Sequence, residues 1–150
     1  METTHLLVSD LAVDTALADL SLPHAVRLSW QLLYECDIRL REVVSLDVND
    51  VELGARQIGY QDVKDGSWYP IGITESLAAQ LRGLIGPHID GPLLTVDGRR
   101  VTTDEIASLF RDATGKSVHA LRFTRMVRRN RSPSRLRLVI FGGGSTNERT

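Results

Sequence analysis

Apolar residues recur along most of this chain at helical spacing, and the places where that spacing fails mark a short run of strands. Ser9-Asp10 can cap a helix running to about Leu20, with Leu11, Ala12, Ala16 and Leu20 near one face. Pro23 suits the first turn of a second helix, whose body over 25–34 is apolar on almost every side and is expected to be buried. A third helix is predicted over 39–46, with Leu40, Val43, Val44 and Leu46 packed and Arg39 at its start. Segments 48–53, 57–60 and 67–71 are short and rich in β-branched or aromatic residues, and Asp65-Gly66 between the last two signals a hairpin. Thr74 then opens a helix over 75–85 that Gly86-Pro87 stops. Residues 92–96 are predicted to be extended, ahead of a turn at Asp97-Gly98.

Thr102-Thr103-Asp104-Glu105 reads as a capping box, in which the Thr102 hydroxyl accepts from an amide three residues on and Glu105 reaches back. The helix it opens ends near Gly115, a residue suited to the left-handed turn after a helix. A further helix is predicted over 118–130, closed by Ser132-Pro133. Residues 134–141 fit helix or strand equally, and Gly142-Gly143-Gly144 ends them. With no internal repeat and no long linker, the expected architecture is a single domain, mainly α with a small antiparallel β-sheet (α+β).

Composition narrows the class. The 150 residues are 42% hydrophobic and 25% charged, which is the balance of a globular domain able to bury a core. No apolar run approaches the roughly 18 residues that span a bilayer, and the first residues lack the pattern of a signal peptide. The expectation is therefore a protein with no membrane partner. The one cysteine, Cys36, cannot form an internal disulfide, which fits a cytoplasmic home, and its apolar neighbours mark it as a core residue. His5, His24 and His88 have no ligand spacing with one another or with Cys36, so no metal site is expected.

Charge changes the picture. The net value is −1, but residues 1–98 carry 6 Lys/Arg against 15 Asp/Glu, and residues 99–150 carry 12 against 4. Arg122, Arg125, Arg128, Arg129, Arg131, Arg135 and Arg137 fall within 16 residues that contain no acid. The planar guanidinium suits phosphate better than the compact ammonium of lysine does. This half of the chain therefore reads as a face for a polyanion, with Arg125, Arg128, Arg129 and Arg131 as candidate DNA-binding residues.

Four short motifs follow one another in an order that carries a resemblance. Leu33-Tyr34-Glu35-Cys36-Asp37-Ile38-Arg39-Leu40-Arg41-Glu42-Val43-Val44-Ser45-Leu46 contains an Arg-x-x-Glu spacing at Arg39 and Glu42. Asp50-Val51-Glu52-Leu53 leads to a strand, Lys64, a second strand and Pro70. Val118-His119-Ala120-Leu121-Arg122 is a His-x-x-Arg box, and the run from Phe141 to Thr150 follows it. Taken in order, these segments resemble the catalytic domain of the tyrosine recombinases, the phage-integrase family, over nearly the whole chain. Four departures accompany the likeness. Glu35-Cys36-Asp37 replaces the family's Thr-Gly, and Gly144 stands near the position of its second histidine. Its nucleophilic tyrosine would fall beyond Thr150, and no tyrosine follows Tyr69 here. The family's separate N-terminal DNA-clamping domain has no counterpart either, so the expectation is a truncated or degenerate catalytic domain.

The resemblance implies a site made of Arg39, Lys64, His119 and Arg122. Transesterification at a DNA phosphate builds negative charge on the non-bridging oxygens, and Arg39 and Arg122 would donate charge-assisted hydrogen bonds to them. His119, one helical turn before Arg122, would accept or relay a proton. Lys64, near a hairpin tip, would be the general acid for the leaving 5′ oxygen. Arginines supply the charge, so no metal and no small-molecule cofactor are expected. The implied partner is double-stranded DNA, with self-association on that DNA, in site-specific recombination or integration. Lacking the tyrosine, these 150 residues should bind and polarise a phosphate without cleaving covalently.

Each residue alone also has a plainer reading. Arg39 fits a helix-surface arginine paired with Glu42, Lys64 fits an exposed turn lysine, and His119 fits a structural histidine. Trp68-Tyr69 reads as packing in the hairpin, and Gly142-Gly143-Gly144 lacks the lysine and helix of a phosphate loop. Two functional classes follow: a recombinase catalytic domain, or a non-enzymatic DNA-binding module that keeps the fold. A small domain whose arginines bind an acidic protein is the third.

Overall fold

A computed structural model of the protein describes residues 7–61 and 66–121, with the side chains of Tyr60, Gln61 and Trp68 excepted. The elements expected over 122–150, and Lys64 and Asp65 of the expected hairpin, lie outside the described residues. Five helices and two small antiparallel sheets make up the rest, in a mixed α+β arrangement.

The central element is helix α2 (His24–Glu35), which packs against α1 (Asp10–Leu17), α3 (Leu40–Val44), α4 (Glu75–Ile85) and α5 (Thr103–Thr114). Its eight buried residues run from Ala25 to Leu33 with only Arg27 interrupting them, as an all-round apolar helix requires. Trp30 is fully buried. Its indole N–H donates to the Ile106 carbonyl at 3.0 Å, and its ring meets Phe110 edge-on at 5.3 Å between centroids. That pairs an apolar ring with a satisfied donor, the condition under which a tryptophan is stable inside. On the opposite flank, Gln80 donates to Gln31, Gln31 donates to Glu35, and the Thr74 hydroxyl donates to the other Glu35 oxygen, tying α4 to α2 through side chains alone. Pro23 caps α2 from outside and does not enter its first turn.

Helix α1 departs from expectation. It begins as predicted, with the Ser9 hydroxyl accepting from the Ala12 amide at 3.0 Å, but it stops at Leu17. Beyond it, Asp19 accepts from both the amide and the hydroxyl of Ser21, which offers the backbone a local alternative to another helical turn. Those bonds hold the Asp19 carboxyl below its usual value. Arg27 also donates to the carbonyls of Leu17 and Leu22, satisfying groups that the ended helix leaves open. The buried face is Val13 and Ala16, whereas Leu11 is 75% and Leu20 83% exposed. Of the predicted stripe, Ala16 is buried and Ala12 packs against the core, whereas the two leucines face outward.

After α3 the chain makes a 3-10 turn at Val48–Asp50, where a strand over 48–53 is expected. The Asp50 carboxylate accepts from the Asp47 amide at 2.8 Å, and this local bond claims the first residues before the ladder begins. The sheet that follows, β1 (Val51–Glu52), β2 (Gln57–Gln61) and β3 (Trp68–Gly72), is antiparallel in the order β1-β2-β3. Tyr60 pairs with Tyr69 and Gln61 with Trp68, a register centred one residue before the expected Asp65-Gly66 turn. Helix α4 has the predicted bounds. The Thr74 hydroxyl accepts from Leu77 at 3.1 Å, and Gly86 ends it at φ 53°.

A second hairpin, β4 (Thr95–Val96) and β5 (Arg99–Arg100), turns at Asp97 and Gly98, both at positive φ. Strand β4 falls within the extended run expected over 92–96 and the turn is where it was expected, whereas β5, two residues long, carries no alternation to mark it. Arg100 reaches from it to the carbonyls of Val44 and Leu46 and to the Asp47 carboxylate, so one guanidinium closes the end of α3. Helix α5 has the predicted capping box, with Thr102 and Glu105 each accepting from the other's amide. It ends at Gly115 in the left-handed region, φ 75°.

Glu105 also receives Arg99 on both oxygens, at 2.9 and 2.6 Å. Arg99 first, and then the Thr102 amide, pull its carboxyl from 4.5 down to about 2. A depressed carboxyl stabilises the fold above its unfolded pKa and loses that contribution as pH falls through the folded one. The stability difference between the wild type and Glu105→Gln should therefore shrink as pH drops from about 4.5 toward 2. Urea unfolding across that range checks it, and a difference independent of pH would refute the coupling.

Candidate functional site

The link between α2 and α3 is pinned from inside. Cys36 is 3% and Ile38 1% exposed, so both anchor in the core, and the chain between them leaves α2 in extended form. Arg39 follows as the residue that caps α3, with φ −92° and ψ 156°. The Glu42 carboxylate accepts from the Arg39 amide at 2.9 Å, which fixes the backbone at the point where the helix begins. The Arg-x-x-Glu spacing therefore acts through the arginine's backbone, and the Arg39 side chain remains exposed.

His119 is positioned by a second, independent device. Gly115 turns the chain out of α5, and residues 117–121 form the beginning of a new helical turn through Ala120 N–H to Ser117 and Leu121 N–H to Val118. Val118, Ala120 and Leu121 are buried, so this turn faces the core on those sides and leaves His119 outward. The Ser117 hydroxyl accepts from the His119 amide at 3.3 Å.

Arg39 and His119, eighty residues apart, line the same cleft, which has a volume of about 380 Å³. Arg41 and Thr103 complete its polar lining. Leu33, Ile38, Leu40 and Val118 form the apolar remainder. Among the described residues no carboxylate lines it, although the chain up to residue 98 is strongly acidic. Neither Arg39 nor Arg41 is in an ion pair among the described residues. Two guanidiniums, an imidazole and a hydroxyl around a concavity with no acid among its described lining residues make a chemical environment for an anion with several acceptor oxygens. A second cleft of about 300 Å³ beside α4 contains His88 and the Asp90 carboxylate and lacks this one-sided charge.

Of the residues expected to form the site, the structure thus brings Arg39 and His119 together. Lys64, Arg122, Arg125, Arg128, Arg129 and Arg131 lie outside the described residues. Sequence reading missed Arg41 and Thr103. Arg41 lies inside the Arg-x-x-Glu segment, where attention falls on the terminal pair. Thr103 follows the capping threonine and looks like part of the cap. Neither is distinguishable by spacing, because the cleft joins elements that only the tertiary fold brings together. Among the described residues no three of His, Cys, Asp and Glu are grouped to hold a metal ion, and no helix is long and apolar enough to cross a membrane.

If Glu42 anchors the start of α3, Glu42→Ala should cost about 1 kcal/mol, the net value of such a bond. Urea denaturation measures it, and an unchanged midpoint would show that the Arg39 amide finds another acceptor at no loss.

No family model matches this chain, and no curated protein does. Among solved structures the fold is similar to that of XerA recombinase, with a TM-score of 0.65 and 22% sequence identity, over 93% of this chain and 55% of that one. The chain therefore spans about half the length of the recombinase it resembles, and it has a recombinase-like fold.

Proposed function

We propose that residues 1–150 form the phosphate-handling catalytic domain of a site-specific tyrosine recombinase, acting on double-stranded DNA. The observation that carries this reading is the meeting of Arg39 and His119 in one acid-free cleft, on a fold similar to that of a recombinase. In this reading Arg39 and Arg122 hold the non-bridging oxygens of the scissile phosphate, where negative charge grows in the transition state. His119 accepts or relays a proton at the same phosphate, and Lys64 donates one to the leaving 5′ oxygen. Arg125, Arg128, Arg129 and Arg131 contact the DNA backbone and set the register without reading sequence. These 150 residues contain no tyrosine after Tyr69, so they bind and polarise the phosphate but supply no tyrosine to attack it from the C-terminal side. Self-association on DNA and a role in the cytoplasm belong to the same proposal.

Binding to a short DNA duplex, followed by fluorescence anisotropy across a salt series, tests it. The wild type should bind in a salt-sensitive manner, and Arg39→Ala and Arg122→Ala should each weaken binding to every sequence. Each should also make the slope of log affinity against log salt shallower by about one unit. No binding at low salt would overturn the proposal. The proton-transfer roles need a version extended to carry a nucleophilic tyrosine. There, Lys64→Ala and His119→Ala should spare binding and slow cleavage, and cleavage at the wild-type rate would remove either residue from its role.

A further inference from the structure

Arg41 lines the cleft beside Arg39, His119 and Thr103, yet the proposed chemistry at the phosphate makes no use of it. It lies in the second position of α3, whereas Arg39 lies just before the helix in extended backbone. The two arginines thus enter the lining of the cleft from different backbone conformations. Arg41 is exposed and, among the described residues, has no ion-pair partner. At about 380 Å³ the cleft has the volume of roughly a dozen waters at about 30 Å³ each, more than a single phosphate fills. Its apolar side, Leu33, Ile38, Leu40 and Val118, offers no hydrogen bonds and suits the carbon skeleton of a sugar.

From this geometry we infer that Arg41 is a second backbone-binding arginine of the cleft, which holds the phosphate next to the one at Arg39 and His119. The inference rests on the DNA-handling reading above and adds to it a residue and a second phosphate. The contact carries no sequence information, because a phosphate oxygen is the same at every step of the strand. Its effect is to fix the strand at two successive points, so that the reacting phosphate is held in position and not merely attracted.

The test compares the wild type, Arg39→Ala, Arg41→Ala, Arg41→Lys and Arg82→Ala on one short duplex in a salt series. Arg82 is an exposed arginine on α4, outside the cleft, and controls for a simple loss of charge. Arg41→Ala should weaken binding and make the salt slope shallower by about 0.9, the value for one phosphate contact on duplex DNA. Arg41→Lys should restore the slope, and Arg82→Ala should leave it unchanged. Thermal midpoints of all variants separate lost contact from lost fold, and a lysine that restores the slope excludes a purely structural role for Arg41. A wild-type slope in Arg41→Ala, alongside a shallower one in Arg39→Ala, would overturn the second contact and leave the first reading standing. Equal changes in Arg41→Ala and Arg82→Ala would reduce Arg41 to general charge and overturn it as well. A wild type that does not bind at low salt would overturn both.

Discussion

The junction of Trp30 with Phe110 and Ile106 is the constraint on which the rest of the molecule depends. It fastens α2 to α5 by an edge-on ring contact and one buried hydrogen bond. Both halves of the cleft grow from these two helices. The chain leaves α2 through Cys36 and Ile38 and reaches Arg39 within four residues of the helix end, while it leaves α5 at Gly115 and reaches His119 four residues later. With so short a run on either side, the relation between arginine and histidine is set by how α2 lies on α5. A buried aromatic pair with its donor satisfied defines that relation more sharply than apolar contact alone, because an indole N–H displaced from the Ile106 carbonyl is left buried without an acceptor.

A second theme is the use of arginine as structural closure. Arg27 satisfies carbonyls at and beyond the end of α1, Arg100 does so at the end of α3, and Arg99 clamps the Glu105 that caps α5. Each of these guanidiniums meets carbonyls or a carboxylate of the protein. Arg39 and Arg41 differ in having no acid opposite them among the described residues. In a chain whose first 98 residues hold 15 acids, a cleft with no carboxylate among its described lining residues is a local reversal of the charge of that half.

Much of this was legible in the sequence where local chemistry decides. Thr74 to Gly86 and Thr102 to Gly115 were bounded correctly because capping threonines and terminal glycines act within a few residues of the ends they mark. The errors arose where local signals competed. Asp19 with Ser21, and Asp47 with Asp50, divert the backbone into side-chain bonds that apolar spacing does not register. Leu11 and Leu20 are core residues by type, but Val13 and Ala16 are the ones buried where α1 packs on α2 and α5, and nothing in α1 alone says which side its partners occupy. Of the site, Arg39 and His119 could be named from motif order. Arg41 and Thr103 could not, since their membership depends on α3, α5 and the turn after α5 converging.

The eighty residues between Arg39 and His119 have an energetic consequence. Closing a loop of that length costs on the order of 4 kcal/mol in chain entropy. Two cations and an imidazole contribute nothing toward closing it, and the like charges oppose it. The apolar packing of α2, α4 and α5 supplies that free energy before any ligand arrives. An anion entering the cleft therefore meets groups that are already assembled, and its binding energy goes into orientation and charge stabilisation and not into organising the chain. On the reading proposed above, damage to the hydrophobic core would weaken phosphate binding even where no cleft residue is changed.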